Sequence, residues 1–197
     1  MISRLKLEKL YNSGLSMMDI SMQTGFSHSK ISYWMDKYNI SRRTRSDATY
    51  IKRNPEGDPF KIKKNLNSQE RELRGLGLGL YWGEGTKRNK YSVRLGNTDP
   101  DLINKFIEFL IKICNIKISK LRFGLQIFSD INPKEALKFW QKSLGLDSSQ
   151  FQKVIVTPSR GLGSYKRKSK YGVLTIYYSN KKLRDIINEM LTIYKPT

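Results

Sequence analysis

Apolar residues recur along this chain with two periods, three to four residues in some stretches and two in others. Over residues 1–46 the period is helical. Leu7, Leu10 and Tyr11 give a first stripe, Gly14 ends it, and Ser16 stands where a second helix needs an N-cap. Ile20 lies on the inner face of that second helix. "TGFS" reads as a tight turn centred on Gly25, Ser27 caps a third helix, and Ile31, Trp34, Met35 and Tyr38 form its buried face. Residues 50–66, "YIKRNPEGDPFKIKKNL", lack periodicity and hold two prolines, a glycine and seven charged residues. They place a basic linker at 47–66.

From Asn67 the helical pattern resumes. Asn67 can cap, Glu70 three residues on completes a capping box, and Leu73, Leu76 and Leu80 form one apolar face. Strict alternation follows in "YSVRLGN", with Val93 and Leu95 opposite Ser92 and Arg94. It returns in "SKLRFGLQIFS", with Leu121, Phe123, Leu125 and Ile127 opposite Arg122, Gly124, Gln126 and Phe128. Asp99-Pro100 and Pro133 open helices, the second carrying Leu137, Trp140 and Leu144. "FQKVIVT" and "GVLTIYY" read as the last two strands, and a helix over Asn180 to Tyr194 closes the chain. The expected class is α+β: a helical module at 1–46, the linker, and a domain at 67–197 whose helices cover one face of an antiparallel sheet. The other face stays free and gathers Arg94, Arg122, Gln126, Lys153 and Thr175 or its neighbours.

Charge narrows the function. The 197 residues carry 37 Lys+Arg against 17 Asp+Glu, a net +20. The excess is +7 over residues 1–66 and +13 over 67–197. A basic balance in both halves points to a long polyanion. Two helices joined by a glycine turn form a helix-turn-helix pattern, which lays its last helix in the DNA major groove. His28, Ser29, Lys30 and Tyr33 then face base edges. Arg42, Arg43 and Arg45 of "SRRTR" meet phosphate or the minor groove. A basic and polar sheet face suits the major groove as well. "SRGLGSYKRKSKYG", between the last strands, has five basic residues and no acid; Lys166, Arg167 and Lys168 are further DNA candidates. The partner expected is double-stranded DNA, with no membrane and no small-molecule substrate. "MISRLKLEKL" lacks the apolar run of a signal peptide and no segment reaches 18 apolar residues. An intracellular protein, in cytoplasm or nucleoid, is therefore expected.

"GLGLGLYWGEG", residues 75–85, needs an explanation. A phosphate loop is excluded, because Thr86 precedes Lys87 where the order must be reversed, and a G-x-G-x-x-G from Gly77 fails at Trp82. As a helix, the segment puts Gly75, Gly79 and Gly83 four residues apart on a second face. Each helical glycine costs about 1 kcal/mol relative to alanine. A close helix-to-helix contact offsets that, since glycine lets two backbones approach.

On these residues a family resemblance becomes specific. "LGLYWGEG" resembles the signature helix of LAGLIDADG homing endonucleases: Gly79 and Leu80 match its central Gly-Leu, and Gly83, Glu84 and Gly85 its terminal Ala-Asp-Gly. The run from "KFW" through "FQKVIV" to "KRKSKYGVLTIYYSNKKL" is similar to a helix-turn-helix-bearing branch of that family. The first fifty residues resemble modules at the start of mobile-element nucleases and resolvases. The resemblance implies that Glu84, with Gly83 beside it, holds Mg²⁺ or another divalent cation over the DNA backbone and acts as catalytic acid. It implies a helix interface through Gly75, Gly79 and Gly83, and a lysine assisting near the metal, for which Lys170 is the first candidate and Lys168 the second. Trp82, where the pattern often has Asp, and Glu in place of Asp depart from the commonest form. Residues 101–150 hold no second signature helix, so a homodimer on roughly palindromic DNA is implied.

The expected activity is thus metal-dependent double-strand cleavage of DNA. The alternatives are a non-cleaving DNA-binding regulator on the same fold, or an RNA-splicing maturase. One histidine, His28, and one cysteine, Cys114, leave little for a Cys/His zinc site or an HNH nuclease. "EGTK" has one residue too many for a PD-(D/E)-x-K nuclease.

Overall fold

A computed structural model describes residues 1–159 and 169–194. The chain divides into two compact units, Met1–Pro59 and Phe60–Thr197. Among the described residues no helix is long and apolar enough to cross a membrane.

The first unit is helical. Helices α1 (Arg4–Asn12), α2 (Met17–Thr24) and α3 (His28–Lys37) surround a core of Ile2, Leu7, Tyr11, Ile20, Ile31, Trp34 and Met35. The expected caps are present. The Ser16 side chain accepts from Asp19 N–H while Asp19 reaches back, and Ser27 accepts from Lys30 N–H. Gly25 closes α2 at φ 71°, a conformation that costs most residues a Cβ clash, and so lets α3 turn away at once. Phe26 meets Trp34 edge-on at 4.8 Å, and the Tyr38 hydroxyl donates to Ile2 O.

A fourth helix, α4 (Arg45–Arg53), occupies the start of the stretch expected as a basic linker from residue 47. Thr44 caps it, Asp47 lies in its first turn, and Lys52 and Arg53 end it, all matching the helix dipole. It buries no residue fully, so it has no apolar stripe to betray it. A methyl of Ile51 lies over Gly14. The far end of the same stretch belongs to the second unit: Phe60 is buried there, and Lys61 and Lys63 donate backbone N–H bonds to Cys114 O and Ile113 O.

In the second unit the order is α5 (Ser68–Glu84), β1 (Val93–Asn97), α6 (Pro100–Lys112), β2 (Arg122–Phe128), α7 (Pro133–Leu144), β3 (Ile155–Thr157), β4 (Val173–Tyr178) and α8 (Lys181–Thr192). The sheet runs β1-β4-β2-β3. Strand β4 pairs antiparallel with β1 and β2, but β3 pairs parallel with β2, so the sheet is mixed rather than antiparallel. The reason is the connection: α7 carries the chain across between β2 and β3, as parallel neighbours require. Val93, Leu95, Phe123, Leu125, Ile127, Leu174, Ile176 and Tyr178 alternate onto the buried face with Phe106, Phe109, Leu110, Trp140 and Ile187. The α+β class stands as expected, with this pairing changed.

Helix α5 has the predicted capping box between Asn67 and Glu70. Its buried residues are Gly77, Leu78 and Tyr81; Leu73 and Leu80 are half-buried, and Leu76 is 47% exposed. The buried stripe is therefore rotated from the one expected through Leu73, Leu76 and Leu80. Phe109 of α6 causes this. Its ring lies on Gly77, where a Cβ would overlap it. Gly75, Gly79 and Gly83 turn outward, with nothing within 4 Å of an added Cβ.

These contrasts make the glycines separable by mutation. Gly77→Ala is expected to destabilise the second unit by about 1–3 kcal/mol through overpacking. In the unpaired chain, Gly75→Ala and Gly79→Ala are expected to raise its stability by up to about 1 kcal/mol each through helix propensity. Urea unfolding followed by tryptophan fluorescence measures both. Cys114, whose thiol is pushed up to about 12 by burial, is expected to resist alkylation at pH 8 until the unit unfolds, as mass spectrometry would read.

Candidate functional site

The C-terminal turn of α5 brings together the acid and the open glycine face. Gly75, Leu76, Gly79, Trp82 and Gly83 lie along one exposed stripe, and Trp82 is 45% exposed. The last residue of the helix is Glu84, also exposed. Gly85 then leaves the helix in an extended conformation and bridges Leu95 of β1, and Thr86 N–H donates to Arg94 O. The acid thus sits at the β1 edge of the sheet.

One residue missed by the sequence reading stands beside it. The Lys87 ammonium donates to Trp82 O and lies 5.9 Å from the centre of the Tyr81 ring. Desolvation lowers its pKa, and the Glu84 charge opposes that shift. Arg184 of α8 donates to Lys87 O at 3.2 Å and pairs with Asp185, which holds this turn against the body of the unit. A lysine three residues past the acid was visible in "EGTK", but its meaning depended on the chain doubling back after Gly85.

Lys170 lies elsewhere. Tyr171, next to it, stacks on Phe139 at 3.8 Å, and Trp140 Nε1 donates to Tyr171 O, pinning the segment to α7. Lys170 lines a 270 Å³ pocket with Asp130, Asn132 and Glu135. Glu84 is not among the residues that line this pocket. Arg160, Lys166, Arg167 and Lys168 lie outside the described residues.

Glu84 is a hard oxygen donor of the kind Mg²⁺ takes, but such an ion wants about six oxygen ligands. Among the described residues no group of three or more His, Cys, Asp and Glu gathers at any point. The donor chemistry fits a divalent cation, and its number within one chain falls short.

On the free sheet face, Arg94, Arg122, Gln126 and Thr175 are brought together as expected, and Tyr177 joins them. Arg122 donates to Ser119 O and Leu121 O, and Gln126 to the Thr157 hydroxyl. Lys153 is exposed but precedes β3 and lies off the ladder.

No family model, curated protein or solved structure matches this chain.

In the helical unit, His28, Ser29, Lys30 and Tyr33 are all exposed at the start of α3, with Lys37 lying 5.9 Å from the Tyr33 ring centre. Arg45 is exposed at the start of α4. Arg42 forms an exposed ion pair with Asp36 and donates to Ser32. Arg43 differs from the free phosphate contact expected of it. Its guanidinium lies 3.9 Å from the Tyr11 ring centre and donates to Gly14 O and Leu15 O, while its own N–H donates to the Tyr11 hydroxyl. This arginine is built into the module.

Arg43→Ala is accordingly expected to destabilise the helical unit by about 1–3 kcal/mol, the scale of lost charged hydrogen bonds. Lys30→Ala is expected to change it by no more than about 0.5 kcal/mol. Thermal unfolding of the full chain distinguishes the two.

Proposed function

We propose that this protein is a sequence-specific DNA-binding endonuclease of the LAGLIDADG type, acting as a homodimer with a divalent cation. The observation that carries the reading is the α5 terminus. A helix with an uncovered glycine face ends in an exposed acid beside a sheet whose free face is basic and polar. A helix bearing three outward glycines and two exposed apolar side chains, Leu76 and Trp82, is poorly explained as a solvated surface. A second copy of α5 packed on that stripe would cover them and bring two Glu84 carboxylates close. That pairing answers the shortage of donors in one chain.

In the dimer, each Glu84 would hold the ion, with the Gly83 carbonyl region beside it. The bound cation would supply activated water and stabilise the leaving oxygen. Lys87, with its lowered pKa and its place next to Glu84, is the lysine we assign to assist, in place of Lys170. The exposed start of α3 and the free sheet face would each read DNA, and the net +20 charge would supply salt-dependent affinity for the backbone.

A randomised duplex library with Mg²⁺ tests this. The wild-type protein is expected to cut both strands of an enriched, roughly palindromic site. Glu84→Gln is expected to bind that site without cutting it. Lys87→Met is expected to slow cleavage roughly 100-fold, a general acid–base effect, while Lys170→Met leaves the rate unchanged. Gly79→Phe, at a position with open space in the monomer, is expected to remain folded and to abolish pairing in sedimentation. Tight binding by the wild type with no cutting favours the non-cleaving regulator. A strictly monomeric complex on DNA sinks the paired-helix reading.

A further inference from the structure

The free face of the sheet is ordered in rows. Arg94 of β1 and Arg122 of β2 both pair with Tyr177 of β4, so Arg94, Tyr177 and Arg122 form one row across three strands. The next row is Gly96, Thr175 and Gly124. The Tyr177 ring lies over Gly124, where an added Cβ would stand 2.8 Å from the ring edge. Tyr177 and Thr175 thus fill the space above the two glycines beside the arginine row.

The two arginines are held differently. Arg122 turns one terminal nitrogen back onto Ser119 O and Leu121 O, at 2.8 Å each. Arg94 is anchored through its side nitrogen, with Nε donating to Ser92 Oγ at 2.7 Å. Ser92 is 2% exposed, and its hydroxyl and N–H both donate to Asn89 Oδ1, which also accepts from Tyr91 N–H. Beneath the guanidinium lies the Tyr177 ring, 5.0 Å from its carbon. Arg94 Nη1 and Nη2 make no hydrogen bond among the described residues. The group is therefore held at Nε by a buried serine and carried over an aromatic ring, and its two end nitrogens remain to donate as a fork.

We propose that Arg94 reads a guanine, donating from both terminal nitrogens to O6 and N7 in the major groove, and that Ser92 and Tyr177 are its positioning residues. A fork held this way loses little entropy on binding a planar pair of acceptors. Phosphate offers paired acceptors too, but it needs no prior anchoring of the fork, and here the group is held both at Nε and by the ring beneath it. The inference rests on the DNA reading above and specifies one contact within it.

The test is selection from a randomised duplex library in EDTA, with no cutting, for the wild type, Arg94→Lys, Ser92→Ala and Tyr177→Leu, each first checked for an unchanged unfolding midpoint. The wild-type site is expected to contain a guanine that Arg94→Lys no longer requires. Replacing that guanine by 7-deazaguanine is expected to weaken wild-type binding roughly tenfold, within the range for a bidentate base contact, and to leave Arg94→Lys binding unchanged. Ser92→Ala and Tyr177→Leu are expected to lower the same preference partway without altering other positions. A uniform loss over all sequences in Arg94→Lys, with base preferences intact, overturns the proposal in favour of a phosphate contact. Failure of the wild type to enrich any sequence overturns the DNA reading itself, and this assignment with it.

Discussion

The ring of Phe109 rests on Gly77, and this contact sets the rotation of α5 about its own axis. With Gly77 against α6, Leu78 and Tyr81 must point into the core, and Tyr81 stacks on Phe106 at 6.1 Å. The remaining geometry follows from the helical period. Residues two before and two after Gly77 fall outward, so Gly75 and Gly79 are open, and Gly83 continues their line. Glu84, seven residues on from Gly77, returns to the side of the helix that Gly77 faces, and it stays exposed because it is the last residue of α5. A side chain at residue 77 would push α5 off α6 and turn the acid with it.

The caps, turns and strands were legible because each depends on neighbours in sequence. Ser16, Ser27, Asn67 and Asp99 all cap helices through their own side chains. The alternation at 121–128 placed Phe123 and Leu125 inside and Arg122 and Gln126 outside. What escaped notice depended on distant partners. The buried side of α5 could not be read from three leucines, since the deciding contact is a glycine against a ring 32 residues away. The parallel pairing of β3 follows from where α7 deposits the chain. Helix α4 is short, charged and without a fully buried residue, so periodicity is blind to it.

The candidate site divides the same way. Glu84 and the outward glycines were visible in eleven residues of sequence. Lys87 was visible as a residue but not as a neighbour, because only the turn after Gly85 folds it back on Trp82. Lys170 was visible only as one cation of a basic loop, and which helix holds the end of that loop is decided by the stacking of Tyr171 on Phe139. Arg43 shows the limit of counting charge. One of three arginines in a basic run serves the module's own packing, and composition cannot tell which.

The three-residue strand β3 lies at the edge of the sheet, with Ile155 57% exposed and Val156 50% exposed. An edge with branched apolar side chains invites another chain to add a strand. Lys153 stands two residues before its first residue. A charge beside an exposed edge repels its like on a second copy over about 10 Å at 0.1 M salt. A lysine close to an exposed strand edge is one of the devices by which proteins discourage edge-to-edge pairing, and Lys153 stands in that place.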